Sequence, residues 1–330
     1  MTPSPRILTI QSHVVRGYVG NKSATFPLQL LGWDVDALNT VQFSNHLGYG
    51  HHGGDKMSVE HLQSCITALH ENGLLTHKAL LTGFTPGTQG VEALEEFVQK
   101  LRANNPQAVY LVDPVMGDSG KLCVDSEVPM HYKSLLRTAT LATPNDFEAE
   151  LLTGIRPANI ASLSDCLRAF HTQYGIPHIV ITSVALPAST VSHLSDTIIN
   201  PDSEGSVLVC AGSTRLDGDT LGISWAIVFP RVAQQFVGVG DLFASVLLGH
   251  FLNLSGPHQL SRAAELALAT VQGIISATYS DAKVELEMLS KSTLDPQQLR
   301  VQTARALELK IVQNRQHIER PDVKWKARAI

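Results

Sequence analysis

The sequence has few charged residues and little net charge of either sign. Asp, Glu, Lys and Arg make up 17% of its 330 residues, and the formal net charge is −5 at pH 7. Such a chain lacks the broad positive field that attracts a phosphate backbone, so nucleic acid is a poor candidate partner. The apolar fraction of 44% is too high for a disordered chain and predicts a large buried core.

Long apolar runs are also missing. The longest candidates, residues 222–229 and 242–254, are broken by Pro230 and His250, so neither reaches the ~18 residues of a membrane-spanning helix. The opening residues lack the charged-then-apolar layout of a secretory signal. We therefore expect no contact with a membrane.

Cysteine is scarce and scattered. The chain contains four such residues, without any CxxC spacing: Cys65, Cys123, Cys166 and Cys210. This pattern predicts buried thiols in a reducing compartment and no disulfide framework. We expect a cytoplasmic globular protein.

Short β-branched runs alternate with helical stretches along the whole chain. Predicted strands cover residues 6–10, 35–43, 78–82, 108–112, 141–143 and 178–182, and an antiparallel edge pair covers 206–210 and 223–229. Predicted helices cover residues 21–31, 58–71, 88–104, 145–152, 162–174, 242–254, 259–279 and 296–313. This alternation predicts an α/β fold with a mostly parallel sheet covered by helices on both faces. Without an internal repeat or a low-complexity linker, residues 1–330 are expected to form a single domain.

Polar residues follow the predicted strands, at the edge of the sheet where ligands of such folds bind. They are Gln11, Ser12 and His13; Ser44, Asn45 and His46; Thr82 and Gly83, followed by Phe84; residues 113–118; residues 143–148; Thr182 and Ser183; and residues 238–241. Acids, hydroxyls and amides thus gather at one edge, which predicts the functional site there.

The strongest local signal is the segment Gly238-Val239-Gly240-Asp241, which opens a predicted helix. Two glycines allow close approach to a ligand, and amides at a helix start point toward an anion. Asp241 would lie where a hydroxyl nucleophile and a phosphate meet. The alternative is structural, since an acid near a helix start also stabilises the helix dipole.

Asp113, Asp118 and Glu148 are the candidate metal ligands, because magnesium prefers a few carboxylates together with water and phosphate oxygens. Each has a structural alternative. Asn145 and Glu148 have the spacing of a helix capping box. For Asp113, which precedes Pro114, the alternative is a strand-ending turn. Their occurrence at successive strand ends favours the ligand interpretation.

Three other patterns carry little weight. Residues 48–53 match GxGxxG by letters but open no helix within a βαβ unit. Residues 17–23 lack the Gly-Lys-Ser adjacency of a phosphate loop. His46, His51 and His52 have no further ligand at metal spacing, so an adaptable solvated loop is the better interpretation.

Several segments resemble pyridoxal kinases: residues 10–21, 24–29, 41–46, 113–118, 143–152, 180–183, 236–244, 308–313 and 318–321. They occur in order along nearly the whole chain. The resemblance implies a ribokinase-like fold, usually a homodimer, that uses ATP, magnesium and often a monovalent cation such as potassium. The substrate would be pyridoxal or a related vitamer.

The resemblance also implies roles for individual residues. Asp241 would be the general base, and the amides of Gly238 to Gly240 would form an anion hole. The residues implied to contact the substrate ring are Ser12, Val19, Val41, Phe43, His46, Leu47 and Phe84. Those implied to attend ATP are Asp113, Asp118, Asn145, Glu148, Thr182, Ser183, Val237, Gly238, Val239 and Gly240, and those implied to attend cations are Asp113, Asp118, Thr143 and Glu148. Residues 117–127 would form a lid.

The sequence departs from the animal enzymes at Leu47, Phe84 and Val239, where they have Thr, Tyr and Thr. Each difference removes a hydroxyl group. Val239 is also usual in bacterial relatives, whereas Leu47 and Phe84 leave the preference among pyridoxal, pyridoxamine and pyridoxine open. Two alternatives to a pyridoxal kinase remain. One is a hydroxymethylpyrimidine kinase of the same fold, and the other is a non-catalytic pyridoxal-binding protein. The set of carboxylates argues against the second alternative, because a carrier has no use for them.

Overall fold

A computed structural model describes residues 5–118, 120–216 and 222–330. Within these residues a ten-stranded sheet has the order β12-β11-β10-β9-β8-β5-β4-β1-β2-β3, and β6 and β7 form a separate hairpin. The strands are β1 (Arg6–Val14), β2 (Asp34–Phe43), β3 (Gly54–Lys56), β4 (Ala79–Thr82), β5 (Val109–Val112), β6 (Gly117–Asp118), β7 (Lys121–Leu122), β8 (Leu141–Ala142), β9 (His178–Pro187), β10 (Ser206–Thr214), β11 (Ile223–Phe229) and β12 (Arg328–Ala329).

The six central strands of the sheet, from β2 to β9, are parallel to one another. The strands outside them, β3 on one side and β10, β11 and β12 on the other, pair antiparallel. This confirms the predicted mostly parallel sheet and the predicted antiparallel pair toward its edge.

The helices are α1 (Asn21–Leu30), α2 (Val59–Glu71), α3 (Thr88–Asn104), α4 (Val128–Leu136), α5 (Asp146–Thr153), α6 (Ile160–Tyr174), α7 (Ala188–Val191), α8 (Val239–Asn253), α9 (Gln259–Ser290), α10 (Pro296–Ala306) and α11 (Gln316–Glu319). Side chains alternate across the strands, so the sheet has a buried apolar layer on each face. One layer includes Leu8 and Ile10 with residues of α2 to α6. The other includes Ile7 with residues of α1, α8 and α9. In the described residues no helix is long and apolar enough to cross a membrane.

Some element boundaries differ from those predicted. β1 continues through residues 11–14, because β2 extends beside it and His13 and Val14 pair with Gln42 and Phe43. The residues expected after the first strand therefore lie inside it. β9 likewise continues beyond Thr182 to Pro187, because β10 pairs with it antiparallel. The helix predicted over residues 296–313 ends at Ala306, and α9 extends eleven residues past its predicted end to Ser290.

The chain reverses its direction across the sheet at β1. From β1 it goes outward to β2 and β3, and it then returns to build β4, β5, β8 and β9 on the other side of β1. Such a switch point opens a crevice at the carboxyl ends of the parallel strands, which is where ligands bind in this class of fold. The fold therefore places a candidate site beyond the ends of β1, β4 and β5.

Candidate active site

The turn before α8 has a conformation that requires glycine. Gly238 has φ of 86°, in the left-handed region, and an added Cβ would overlap the carbonyl oxygen of Tyr18. The Ser23 hydroxyl donates a hydrogen bond to the Gly238 carbonyl over 3.2 Å. The turn is thus held against the loop that follows β1 and against the first turn of α1. The first amides of α8 begin at this turn and have no partner within the helix.

Asp241 lies in the first turn of α8 and is half-buried. Burial raises the pKa of its carboxyl group above the ordinary value, and a hydrogen bond with the backbone of Gly20 acts in the opposite direction. A carboxylate with a raised pKa is a stronger base than a fully hydrated one. Its position in the first turn also favours the ionised form through the helix dipole.

A row of residues crosses the sheet directly beneath this turn. The registers of β1, β4, β5 and β8 align Gln11, Gly83, Asp113 and Thr143 at one level, on the face that α8 covers. Asp113 is 5% exposed, and its Oδ2 lies 3.8 Å from the place of a Cβ on Gly240. The Gln11 side chain lies over Gly83, where a Cβ would be 2.6 Å from its Oε1. The row thus brings a buried carboxyl group under the start of α8.

The electrostatics of Asp113 are those of an uncompensated acid. Burial, Glu148 and Asp241 together hold the pKa of Asp113 well above its usual value. Among the described residues, the group that lowers the pKa of Asp113 is the Thr143 hydroxyl, which donates a hydrogen bond to Asp113 Oδ1 over 3.0 Å. Three carboxyl groups therefore share one region of the crevice, which is an arrangement that attracts cations.

Glu148 joins the start of α5 to the loop after β5. Its Oε2 accepts from the Asn145 amide over 2.9 Å, and the Asn145 side chain accepts from the Glu148 amide over 2.8 Å. Its Oε1 accepts from the Met116 amide over 2.9 Å. The structural alternative for this pair, a capping box, is thus confirmed. Burial raises the pKa of Glu148 to about 7 against these hydrogen bonds.

The loop after β5 is tied to α5 and leads into the β6–β7 hairpin. The Asn145 side chain donates to the Gly117 carbonyl over 2.8 Å. Asp118 is exposed at the end of β6 and lies close enough to Glu148 and Asp146 to raise the pKa of both. Of residues 117–127, for which a lid was expected, Ser119 lies outside the described residues, and the others form this hairpin and the approach to α4.

Thr182 and Ser183 lie within β9 and not after its end, which corrects their predicted position. The pairing of β9 with β10 is irregular at this point, since Val184 pairs with Val209 but Ile181 pairs with Ala211. Bulges of this kind re-aim side chains and are frequent beside active sites. The Thr182 amide donates to the Pro144 carbonyl over 2.9 Å, so both residues still lie beside the segment that carries Thr143 and Asn145.

The predicted ring-contacting residues form a cluster of their own. Val19, Val41 and Phe43 pack with Val14 in an apolar cluster separate from the two large layers, and Phe84 packs against it. The Thr40 hydroxyl fixes the backbone of Phe84 by donating to its carbonyl oxygen over 2.7 Å. This cluster lies at the carboxyl ends of β1, β2 and β4, on the side of the crevice away from Asn145.

The remaining predicted residues lie at the rim of this cluster. His46 is buried, and its Nδ1 accepts from the Gly48 amide over 3.1 Å. Leu47 and Val237 are exposed. Ser12 packs so closely on Gly20 that a Cβ there would overlap the Ser12 oxygens. His51 and His52 are exposed, as expected for an adaptable loop.

The segment 18–20 connects the apolar cluster to the turn before α8. Val19 belongs to the cluster, the Tyr18 carbonyl touches Gly238, and the Gly20 backbone bonds to Asp241. Sequence patterns alone assign no role to Tyr18 or Gly20. The signal available for Gly20 was its residue type, because its φ of 52° is a conformation that glycine adopts at little cost.

No group of three or more His, Cys, Asp or Glu side chains is arranged to hold a metal ion in residues 5–118, 120–216 and 222–330. Magnesium sites in phosphoryl-transfer enzymes commonly use one or two carboxylates and complete the shell with water and phosphate oxygens. The metal-ligand role expected of Asp113, Asp118 and Glu148 therefore stays a prediction.

Comparison with known proteins identifies the family of this chain. A family model described as phosphomethylpyrimidine kinase matches residues 37–221. The chain is 36% identical to a pyridoxal kinase of Arabidopsis thaliana over 98% of the chain and 94% of the relative. It is 34% identical to a pyridoxal kinase of Homo sapiens over 96% of each.

Solved structures give the same result. Pyridoxal kinase from Leishmania donovani in complex with ADP and pyridoxamine superposes with a TM-score of 0.81 and 33% identity, covering 98% of this chain and 99% of that one. The same enzyme with ADP and ginkgotoxin also gives 0.81, with 31% identity and the same coverage. This chain therefore belongs to the pyridoxal kinase family, and its fold is that of these kinases.

Proposed function

We propose that this chain transfers the γ-phosphoryl group of ATP to the 5′-hydroxymethyl group of pyridoxal or a related vitamer. The observation that carries this proposal is the segment 18–20, which joins the apolar cluster to Asp241. This segment is three residues long. A ring bound in the cluster and a phosphate bound at the start of α8 would therefore lie next to each other. The pyridoxal kinase of Leishmania donovani, solved in complex with ADP and pyridoxamine, binds the corresponding pair of ligands.

Asp241 is proposed as the general base. The alcohol oxygen attacks the γ-phosphorus while its proton passes to the carboxylate, the bond from phosphorus to the bridging oxygen breaks, and ADP leaves. The raised pKa of Asp241 brings the basicity of the carboxylate closer to that needed for this transfer, which general bases promote by roughly 10²–10⁴-fold. Asp241 is only half-buried, which leaves its carboxylate accessible to the substrate alcohol in the crevice.

The amides from Gly238 to Gly240 are proposed as the anion hole. The left-handed Gly238 turns the chain so that the free amides at the start of α8 converge on one point. Phosphoryl transfer depends mainly on positioning and charge stabilisation, and fixed amides supply both without reorganising during the reaction. Gly240 is exposed at this point, which leaves room for phosphate oxygens.

The apolar cluster with Phe84 is proposed to bind one face of the pyridine ring, with Ser12 and His46 at its rim. Flat apolar surfaces bury the face of the ring, and a few polar groups set the orientation of the ring.

The nucleotide is proposed to lie on the other side of the crevice. The residues proposed to line it there are residues 113–118, Asn145, Thr182, Ser183, Val237 and Val239. Magnesium and a monovalent cation would be held by the carboxyl groups of Asp113, Asp118 and Glu148 with Thr143. Burial, Glu148 and Asp241 raise the pKa of Asp113, and burial and Asp118 raise the pKa of Glu148, so a cation beside them would be favoured. When bound, such ions neutralise phosphate charge.

The alternative substrate is a hydroxymethylpyrimidine, as the name of the matching family model suggests. That model covers residues 37–221, so it includes neither the segment 18–20 nor the Gly238 turn. The match to the Arabidopsis thaliana pyridoxal kinase covers 98% of the chain and spans both. The two substrates are separated by measuring ATP-dependent product formation with pyridoxal and with the pyrimidine side by side. We expect a higher kcat/KM for pyridoxal. A preference for the pyrimidine would overturn the substrate assignment, and no product from either would overturn the proposed activity.

A further inference from the structure

We propose that three side chains of the C-terminal region, Gln297, Arg300 and Glu308, position the loop that closes the ring-binding cluster. We call residues 46–50 the pocket loop and these three side chains the C-terminal clamp. The proposal rests on the proposed function, because the pocket loop carries His46 and Leu47. It adds a specificity-determining element that lies more than two hundred residues away in sequence.

Arg300 and Gln297, both exposed on α10, hold the backbone of the pocket loop. The Arg300 guanidinium donates to the Gly48 carbonyl over 2.7 Å and to the Leu47 carbonyl over 3.2 Å. The Gln297 amide donates to the Tyr49 carbonyl over 3.1 Å. Three consecutive carbonyl groups thus face one helix. The planar fork of an Arg suits two neighbouring acceptors, whereas a Lys offers a single point charge.

Glu308, in the segment after α10, holds the side chains on both sides of the cluster entrance. It accepts from Arg16 Nε over 3.2 Å and from the Tyr49 hydroxyl. Arg16 follows β1 and Tyr49 belongs to the pocket loop, so one carboxylate joins the two segments. Glu308 itself is mostly buried, with 17% of its side chain exposed.

The clamp acts on the ring cluster through Tyr49 and His46. The Tyr49 ring packs on the His46 ring with centroids 4.8 Å apart, and His46 lies against Gly17, 3.6 Å from the place of a Cβ there. On its other side the loop approaches Val237, whose Cγ2 would be 3.6 Å from a Cβ on Gly48. The pocket loop therefore lies between α10 and the segment that leads to the Gly238 turn.

Apart from the buried His46, the pocket loop has little else to fix it. Leu47 and Gly50 are exposed, and Gly48 and Tyr49 are half-buried. Within the described residues, the hydrogen bonds that reach the loop from outside residues 44–53 come from the three clamp side chains. A loop with few buried contacts takes its position from such bonds. Loss of the clamp should thus affect the ring site and leave the phosphoryl-transfer groups in place.

The test is the steady-state kinetics of Arg300→Ala with pyridoxal and with ATP as the varied substrate. We expect the KM for pyridoxal to rise by about 10-fold, the effect of losing hydrogen bonds to a charged donor. The KM for ATP and kcat should change by less than about 2-fold, because a mispositioned loop weakens ring binding in the ground and transition states alike. Arg300→Lys should give an intermediate KM, since one of the two carbonyls keeps a donor.

Arg305→Ala is the matched control. Arg305 lies on the same helix, but its guanidinium donates to Glu285 on α9 over 2.8 Å. This variant should keep the wild-type KM for pyridoxal. Glu308→Gln is the second variant and should also raise that KM, because the amide keeps the size of the carboxylate but loses the ion pair with Arg16.

Four outcomes are decisive. A raised KM for pyridoxal alone in the Arg300 and Glu308 variants supports the clamp. An unchanged KM in both variants overturns it, and so does an equal rise in the Arg305 control. If the wild-type chain itself forms no product from pyridoxal, the proposed function fails. In that case direct binding of pyridoxal to wild-type and Arg300→Ala proteins, by isothermal titration calorimetry, tests the clamp instead, and equal affinities or no binding to either overturn it.

Discussion

The charge of Glu148 should make the protein less stable as the pH rises. Its pKa is raised from 4.5 to about 7 by burial. A carboxyl group with a raised folded-state pKa binds its proton more tightly when folded, so the stability it contributes is fully present below pH 4.5 and is lost as the pH rises through about 7. The difference corresponds to about 3 kcal/mol of unfolding free energy at most.

The substitution Glu148→Gln isolates this effect. Gln remains neutral and can still reach the Asn145 amide as a capping residue, although its NH₂ group cannot accept from Met116 and Gly117. The variant should therefore be less stable than the wild type at about pH 5 and should lose this disadvantage, by up to about 3 kcal/mol, on going to about pH 8. The charge that raises the pKa of Asp113 also disappears, which adds to the effect in the same direction.

Urea unfolding followed by circular dichroism at several pH values measures this difference. Glu150→Gln is the control, because Glu150 lies exposed on the same helix and its removal should leave the pH profile of the wild type unchanged. If the Glu148→Gln and wild-type profiles run parallel across the whole range, the buried carboxyl group of Glu148 does not cause the pH dependence of stability.

Two further substitutions test the geometry of the site. Gly238→Ala should lower turnover by at least about 100-fold and cost about 1–3 kcal/mol of stability, since a Cβ would overlap the Tyr18 carbonyl; kinetics and thermal unfolding measure both, and wild-type turnover would exclude the proposed turn. Asn145→Ala should cost about 1 kcal/mol as a lost helix cap and also reduce activity, because the hydrogen bond to the Gly117 carbonyl is lost. Asn159→Ala removes an equivalent cap from α6 and should lower the melting temperature with unchanged kinetics; equal activity of the two variants would argue that Asn145 is only a cap.

Most of the sheet could be predicted because its central strands are short, apolar and bounded by turn residues. Boundaries failed where a neighbouring strand decides them. β1 extends to Val14 because β2 accompanies it, and β9 extends to Pro187 because β10 pairs with it. Such pairings join residues distant in sequence, so local composition does not contain them.

The C-terminal region shows a second limit. Residues 307–313 have helical composition, but Leu309 and Ile311 are buried in the layer under α8 and α9. The Lys310 amide donates to the Thr278 hydroxyl over 3.2 Å. Tertiary packing therefore overrides helix propensity there. The same irregular course brings Glu308 to the pocket loop.

The sequence was enough to predict which residues form the site, but not which contacts join its parts. The acids and glycines at strand ends were identifiable by type, and the structure brings Asp113, Asp241 and Glu148 together. The structural interpretation of Glu148 as part of a helix cap is also correct. The same Glu148 side chain makes the cap and lies among the acidic groups of the crevice. The link through Tyr18 and Gly20 depends on how α1 and α8 pack side by side, which no local pattern encodes.

The rate of ATP-dependent formation of pyridoxal 5′-phosphate by Asp241→Asn tests the central claim most directly, with nucleotide affinity measured on the same preparation by calorimetry. The amide has the shape of the carboxylate but cannot take the proton of the alcohol. We predict that turnover falls by at least about 100-fold while ADP affinity and the melting temperature stay near those of the wild type. Turnover close to the wild-type rate would contradict the role of Asp241 and, with it, the mechanism proposed for this turn.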